Sequence, residues 1–485
     1  MSRIIILGIG GLDADLLRVY GPSLPNLRRL MLESPFLELR STIPPEPVPA
    51  WTSVYTGLNP ANHGLLDKMD CLERTIPGLQ TFQDEPFWEK AARAGKRVCV
   101  LNPLLARTDI SCGGLWLSPP RADGEHDLTI TFPALLDEPL IPLTNQLTTF
   151  CASLCERTEQ QVKVALELLA HEPWDLFFVQ LDALDHIQHF LWRYSDPGDP
   201  MYPGKNEHAN RILDFYRLFD QIVGRFRAAR NEESAMVVVS SHGHERRCTY
   251  RLHINEWLRA QDFLELQGKT APPVGQHKVR TAQRIQAFLE YTHLSELLER
   301  FIPWYRGEHN MGYNIDQQHT VAQLVELASA TSSYGGIKLN RALLESEHRD
   351  YGLVREAILT GLEQLCVNNN PVVNWARTRE QCYQGKYLER YPDILFELRS
   401  DFGIGRSLCT PLISSDSTHR LISGTHSTNG VFLLENWPEE LETYEGFQRP
   451  SVMDVAPTIL RLLDVEYARL DGQELVRPRV VRQLI

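Results

Sequence analysis

Short stretches of uninterrupted apolar residues constrain the fold of this chain more than any other feature of its sequence. Strands that are covered on both faces of a sheet show such runs, whereas half-exposed strands alternate apolar and polar residues. The runs are Ile4 to Ile9, Val98 to Leu101, Leu176 to Leu181 and Met236 to Ser240. Segments with helical spacing of apolar residues lie between them, at Leu24 to Leu30, Thr158 to His171 and Asn210 to Arg227. This alternation predicts an α/β protein with a doubly wound, mostly parallel sheet.

The length of 485 residues suits one large α/β unit that carries an insertion. The regular pattern loosens between about residues 265 and 383. We therefore divide the chain into a first core part at 1–264, an insertion or cap at 265–383 and a second core part at 384–485. Two later apolar runs, Pro392 to Leu398 and Gly430 to Leu434, are predicted to return the chain to the main sheet.

Composition and charge exclude several classes of function. The formal net charge is −13 at pH 7, and no cluster of Lys and Arg offsets it, so we expect no binding to nucleic acid. No run approaches the roughly 20 apolar residues that a membrane-spanning helix needs, and the N-terminal run is too short for an export signal. The nine cysteines lack CxxC spacing, which is typical of free thiols in a reducing compartment. We expect a cytoplasmic protein with a small-molecule substrate and leave its oligomeric state open.

Polar clusters beside predicted strands hold the candidate functional residues. Asp185 and His189 follow the run that ends at Leu181, and their spacing of four residues would place both on one helix face, as ligands of one metal ion. An exposed Asp beside a helix-stabilising His is the alternative. The other clusters are Ser240 to Glu245, after the next strand, and Gly424 to Gly430, before a later one. Open α/β sheets bind ligands at the carboxyl ends of strands, where the first two clusters lie.

A series of short motifs runs in a fixed order from the first predicted strand to near the C-terminus. The early motifs are Ile9 to Asp13, Ser41 to Pro45, Pro49 to Ser53, Thr56 to Pro60 and His63-Gly64. The later motifs are Asp185 to His189, Ser241 to Gly243, Asn255 to Leu258, Pro392-Asp393, Gly424 to His426 and Asp454 to Leu460. In this order they resemble the type I phosphodiesterase/nucleotide pyrophosphatase family of the alkaline phosphatase superfamily. The resemblance covers almost the whole chain.

The resemblance implies one complete metal site. Members of the family bind two metal ions, usually zinc, at the carboxyl ends of the sheet strands, and they attack phosphorus with a threonine or serine. The first site falls on Asp185, His189 and His426, all of which are present. Two His and one Asp can hold zinc with a bound water, or ferrous iron in a facial triad. We expect one divalent metal, zinc first and iron second.

The resemblance also implies losses on the other half of the site. An aspartate of the second metal site falls at Gly10, and an Asp-His pair falls on Ser241-His242. The nucleophilic threonine falls at Pro47, which has no hydroxyl. His242 alone keeps a ligand atom, and we expect it to line the pocket, to take part in catalysis or to join the first metal as a fourth ligand.

Several nearby side chains are candidates for the missing chemistry. The hydroxyls of Thr42, Thr52 and Ser53 lie close to the vacated nucleophile position in sequence, although the last two are expected to begin a helix. Glu46 precedes that position, and Asp13 follows the vacated aspartate. We take Glu46 as the candidate catalytic base. Exposed carboxylates without a catalytic role are the alternative for both acidic residues.

Three functions agree with this sequence. The first is a one-metal hydrolase or transferase that acts on a phosphoester or related ester, with a metal-activated water in place of the side-chain nucleophile. The second is a non-hydrolytic mononuclear metalloenzyme, with iron or another redox metal, in a biosynthetic pathway. The third is a pseudoenzyme whose pocket binds a ligand or partner protein. Metal content and turnover distinguish them.

Overall fold

The computed structural model describes residues 3–66, 84–104, 115–117, 144–267, 314–325, 332–438, 441–443 and 449–479, together with Pro142 and Leu327. Within the predicted cap at 265–383, residues 268–313, 326 and 328–331 lie outside the described residues. The remainder of that region contributes regular strands and helices.

Strands and helices alternate through much of the described chain. The strands are β1 (Arg3–Ile9), β2 (Phe36–Arg40), β3 (Val98–Leu101), β4 (Leu115–Leu117), β5 (Leu176–Leu181), β6 (Ser234–Ser240), β7 (Gly243–Arg246), β8 (Tyr250–His253), β9 (Ala322–Val325), β10 (Tyr334–Leu339), β11 (Cys366–Val367), β12 (Asn370–Pro371), β13 (Val373–Thr378), β14 (Ile394–Leu398), β15 (Phe402–Gly405), β16 (Ile413–Ser415), β17 (Gly424–Ser427), β18 (Asn429–Glu435), β19 (Leu441–Thr443) and β20 (Val476–Pro478). The helices are α1 (Ala14–Tyr20), α2 (Pro25–Glu33), α3 (Pro47–Thr56), α4 (Pro60–His63), α5 (Phe87–Arg93), α6 (Leu147–His171), α7 (Ala183–Ser195), α8 (Arg211–Ala229), α9 (Ile254–Ala260), α10 (Arg341–Ser346), α11 (Tyr351–Glu363), α12 (Arg379–Cys382) and α13 (Val455–Leu462). Among these described helices, none has the length and apolar character that crossing a bilayer requires.

The central sheet has seven strands in the order β2-β18-β6-β1-β5-β3-β4. β1 pairs in parallel with β5 and with β6, and β5 pairs in parallel with β3. β18 runs antiparallel to β6 and β2, and β4 runs antiparallel to β3. The sheet is therefore mostly parallel, which confirms the fold class that the apolar runs predict.

Each face of the central sheet packs against its own set of helices. Alternate side chains of β5 point to opposite faces, so Phe177 and Val179 enter one core while Phe178 enters the other. Helices α1, α2, α6, α7 and α8 cover the first face, and α3, α5 and α13 cover the second. The residues Ile4, Ile5, Ile6 and Leu7 of β1 are fully buried. Helices on both faces explain why this strand is apolar without alternation.

A second, antiparallel sheet has the order β13-β14-β10-β9 and a separate apolar core. The run Pro392 to Leu398 forms β14 of this sheet, so the prediction that it returns the chain to the main sheet is wrong. The run Gly430 to Leu434 lies in β18 and does join the main sheet. Both strands are buried and apolar, and such a pattern does not specify which sheet a strand joins.

We predict that Phe178→Ala destabilises the fold by about 3–5 kcal/mol, because it removes a buried aromatic ring and leaves a cavity. The ring of Phe178 lies 5.9 Å from that of Tyr55, 6.0 Å from that of Phe87 and 5.6 Å from that of Trp88. Urea unfolding of the two proteins measures the change. Val19→Ala is the control, since Val19 is 68% exposed and should change stability by less than about 0.5 kcal/mol. A similar loss in both variants would contradict the packing.

Candidate metal centre

The candidate site lies where β5 and β6 leave the central sheet. Both strands are parallel to β1 and in register with it, so their carboxyl ends reach the same edge. After β5 the chain passes through Asp182 and enters α7, which carries Asp185 in its first turn and His189 one turn later. Four residues complete about one helical turn, so the two side chains point to the same side of α7.

The short strands β7 and β17 bring two more histidines to this edge. They pair in antiparallel fashion, and His426 of β17 lies directly opposite His244 of β7. Directly opposed residues project to the same face of a sheet, with Cβ atoms about 4.5–5.5 Å apart. His426 is thereby placed beside the end of β6, although it lies 182 positions after His244 in the sequence.

Four side chains converge at this point, and we call them the Asp-His cluster: Asp185, His189, His244 and His426. Each offers one ligand atom, and these atoms all lie within 4.8 Å of one another. Nε2 of His189 lies 3.0 Å from Nε2 of His426, which in turn lies 3.4 Å from Oδ1 of Asp185. Nδ1 of His244 lies 3.6 Å from the same carboxylate oxygen.

These separations fit a single metal ion. Ligand atoms bound about 2.0–2.1 Å from a tetrahedral zinc ion lie about 3.3 Å apart. Both ring nitrogens of the buried His244 lack a hydrogen bond to any described residue, and such a buried polar group needs a partner. Nδ1 of His189 lies 3.1 Å from the carbonyl oxygen of Gly424, a contact that directs Nε2 towards the cluster, as the outer hydrogen bonds of metal-binding histidines do.

The electrostatics of the Asp-His cluster favour a cation. Burial opposes ionisation of Asp185, but the imidazoles of His189, His426 and His244 hold its pKa well below the usual range. Burial lowers the pKa of His189 to about 4 and that of His244 well below its ordinary value. Burial also opposes the charge of His426, yet contact with Asp185 raises its pKa. A carboxylate that stays ionised beside the ring nitrogens of several histidines suits a bound cation.

The second half of the site has few groups that could bind another ion. Gly10 follows β1 and Pro47 is the first residue of α3, so neither offers a side-chain ligand. Oγ of Ser241 is buried and has no hydrogen bond to a described residue. Nε2 of His242 lies 3.9 Å from Oδ1 of Asp185, and burial lowers the pKa of His242 to about 3. His242 lines the cluster from this side.

The hydroxyls near the vacated nucleophile position are engaged in local hydrogen bonds. Thr42 donates to the carbonyl of Pro44, and Thr52 donates to the carbonyl of Val48 within α3. Oγ of Ser53 lies 3.1 Å from Nε2 of His63. Because Nδ1 of His63 accepts from a backbone N–H at 3.1 Å, its Nε2 carries the proton and donates to Ser53. His63 is therefore not a base for this serine.

The two acidic candidates have different positions. Asp13 caps α1 through Oδ1, and its Oδ2 accepts from the backbone N–H of His244 and the hydroxyl of Ser427. It therefore supports β7 and β17 rather than facing a substrate. Oε2 of Glu46 lies 3.9 Å from Nδ1 of His426, on the ring nitrogen opposite to the one that faces Asp185. Glu46 thus lies just behind the Asp-His cluster.

The mostly parallel sheet, with the Asp-His cluster at its carboxyl edge, gives the chain the fold of the alkaline phosphatase superfamily. A model of the type I phosphodiesterase/nucleotide pyrophosphatase family matches residues 4–404. The chain belongs to this family, a family of metal-dependent phosphoester hydrolases. No curated protein matches the chain significantly in sequence.

Solved structures show the same fold at low sequence identity. Phosphonoacetate hydrolase from Sinorhizobium meliloti 1021 in complex with phosphonoacetate gives a TM-score of 0.54 at 15% identity, over 96% of this chain and 95% of that chain. Its complex with phosphonoformate gives 0.53 at 16% identity over the same shares. Murine ectonucleotide pyrophosphatase/phosphodiesterase 5, an inactive threonine-to-alanine variant in complex with AMP, gives 0.50 at 14% identity, over 98% and 100% of the two chains.

The structure brings together Asp185, His189 and His426, and their role as ligands of one ion stays a prediction. His242 and Glu46 lie at the edge of the same site, and their catalytic roles also stay predictions. The sequence interpretation missed His244, which is closer to the cluster than the expected fourth ligand, His242. The sequence feature that could have indicated His244 is the pair His242 and His244, which lies just after a buried apolar strand.

We predict that acid destabilises the metal-free protein partly through His189. Its folded-state pKa of about 4 lies below the ordinary 6.5, so its contribution to stability is full above pH 6.5 and is lost as the pH falls towards 4. His189→Asn should therefore lose less stability than the parent across this range. Urea midpoints in the presence of a chelator measure the difference. His348→Asn is the control because His348 is exposed, and equal slopes in all three proteins would contradict the prediction.

Proposed function

We propose that this protein is a hydrolase of phosphoesters or related esters that works with one divalent metal ion, zinc in the first instance, held by the Asp-His cluster. The observation that carries the proposal is the convergence of four ligand atoms within 4.8 Å at the carboxyl edge of the sheet. Open α/β sheets bind their ligands at this edge. Membership of a phosphodiesterase family supports the substrate class.

The side chains around the cluster have distinct proposed roles. A divalent ion would supply a Lewis acid and lower the pKa of a water molecule, which makes a side-chain nucleophile unnecessary. His189 is held by the carbonyl of Gly424, so its ring stays oriented. Glu46 is proposed to orient His426 and to accept the proton of the attacking water. His242 is proposed to contact the substrate, because its buried, neutral ring lines the cluster.

One ion rather than two is the favoured stoichiometry. Catalysis with two metals needs a second set of ligands that faces the first. Gly10, Pro47 and Ser241 replace the carboxylates and the hydroxyl which the resemblance places at the second site. The described residues contain one group of His, Cys, Asp and Glu side chains with ligand spacing, which is the Asp-His cluster.

We predict that protein purified without added metal and then loaded with zinc binds one ion per chain, and that His244→Ala weakens binding. A ligand is lost, and the stabilisation that a bound ion gives to the folded state falls with its affinity. Elemental analysis and the zinc-dependent rise in melting temperature measure both effects. His348→Ala, an exposed histidine, should behave as the parent. Two zinc ions per chain at full occupancy, or an unchanged metal content in His244→Ala, would contradict the assigned site. Iron as the metal of the protein purified without added metal would favour the non-hydrolytic alternative.

We predict that bis-p-nitrophenyl phosphate is hydrolysed poorly or not at all, because a second cation and an in-line hydroxyl are missing. Restoring Gly10→Asp, Pro47→Thr and Ser241→Asp should raise the rate. A Cβ atom at Gly10 would lie 2.6 Å from Oδ1 of Asp182, so the carboxylate of Asp182 has to rotate away in the restored protein. Release of p-nitrophenol with zinc present measures the rates.

One result of that assay would overturn the interpretation of the second half-site. That result is release of p-nitrophenol by the unmodified protein at roughly 1 per second or faster, together with loss of this release in His426→Ala. Such a rate would mean that another residue performs the attack.

A further inference from the structure

Asp182 is an acidic residue at the carboxyl edge of the central sheet. It belongs neither to the family motifs nor to the Asp-His cluster, and it has no role in the proposed function. It follows β5 directly and is the N-cap residue of α7, three positions before Asp185. An aspartate at an N-cap usually accepts hydrogen bonds from the first turn of its helix. The side chain of Asp182 makes no such bond. Its carboxylate is turned away from the helix that it begins.

The carboxylate of Asp182 lies against Gly10, at the end of the neighbouring strand. A Cβ atom built on Gly10 would be 2.6 Å from Oδ1 of Asp182, closer than real Cβ atoms approach other atoms. The absence of a side chain at residue 10 therefore makes room for this carboxylate. The sheet edge between β1 and β5 therefore carries an acidic side chain. It belongs to Asp182, which follows β5, and not to residue 10, which follows β1.

A chain of hydrogen bonds through the core holds Asp182 in place. Nε2 of Gln180 donates to Oδ1 of Asp182 at 2.9 Å, and the hydroxyl of Tyr55 donates to Oε1 of Gln180. The backbone N–H of Leu104 donates to the oxygen of Tyr55 at 3.2 Å. Gln180 is 1% exposed in a central strand, where an amide is unfavourable unless it is hydrogen-bonded.

The other oxygen of Asp182, Oδ2, remains open to a ligand. It accepts no hydrogen bond from the described residues, and Asp182 as a whole is part-buried rather than enclosed. Burial raises the pKa of Asp182 to about 7, and the charge of Asp185 acts in the same direction, whereas Gln180 and Arg157 of α6 oppose it. The remaining titratable group that faces it is Tyr55 of α3. In the metal-free protein, a large fraction of the carboxyl is thus protonated near neutral pH.

We propose that Asp182 is the proton donor to the leaving group of the hydrolysis, positioned by Gln180 and Tyr55; this role rests on the proposed function. In the step, a water oxygen forms a bond to phosphorus while the bond from phosphorus to the leaving oxygen breaks. The carboxyl proton of Asp182 passes to that oxygen, which departs as an alcohol. The proton that the water loses to Glu46 returns through solvent to Asp182, so the sum is ester plus water giving phosphate plus alcohol.

Two phosphate monoesters that differ in their leaving groups test this role. General acid catalysis matters when the leaving oxygen is basic, and it typically contributes about 10²- to 10⁴-fold. With the zinc-loaded protein, Asp182→Asn should slow the hydrolysis of phenyl phosphate by about that factor and that of p-nitrophenyl phosphate far less. The substitution keeps the acceptor for Gln180. Asp464→Asn is the control, since Asp464 is exposed and its positive φ suits asparagine.

A second readout needs neither metal nor turnover. A carboxyl whose pKa is raised in the folded state contributes stability that is full below pH 3.8, which is its pKa in the unfolded chain. This contribution is lost as the pH rises through about 7. In a chelator, Asp182→Asn should therefore gain stability relative to the parent as the pH rises through this window. Absence of this gain, or equal slowing of both esters, would overturn the role of Asp182 and leave the hydrolase standing. A zinc-loaded parent that hydrolyses neither ester would remove the proposed function and this role with it.

Discussion

Hydrogen bonding pairs Gly8 of β1 with Gln180 of β5 on one side and with Val239 of β6 on the other. This parallel register places the ends of three neighbouring strands at one level of the sheet. Asp185 and His242 then follow within a few residues of those ends, and the pair β7 and β17 returns His426 to the same place. The geometry of the Asp-His cluster therefore depends on the register of the central sheet, on helix α7 and on the pairing of β7 with β17.

Much of this architecture could be predicted from the sequence, because buried parallel strands and amphipathic helices have strong periodic patterns. The run Val98 to Leu101 is a strand with those same bounds. The helix expected from Thr158 begins earlier, at Leu147, and its first turns bury Leu147, Cys151 and Leu154, which also have helical spacing. The sheet of β14 could not be predicted, since strand pairing over long separations leaves no local pattern.

The candidate site shows the same division. Asp185 and His189 share a helix face, which their spacing predicts, and the resemblance supplies His426. His244 becomes a candidate ligand only when β7 pairs with β17, and this pairing depends on contacts between segments that are distant in sequence. The role of Asp13 as a cap and the hydrogen-bond chain from Tyr55 to Asp182 are likewise tertiary features. Sequence patterns thus predict the part of the fold in which functional residues lie, but they do not predict which of these residues contact one another.

The close approach of Gly10 and Asp182 has a consequence for any substitution at residue 10. An aspartate introduced at residue 10 would meet the carboxylate of residue 182, which would have to rotate away from its hydrogen bond with Gln180 to make room. Two carboxylates in such proximity also repel each other, which adds an electrostatic barrier to the steric one. The effect of a substitution at residue 10 is therefore expected to depend on the residue at position 182, because neighbouring side chains that share a contact do not act independently.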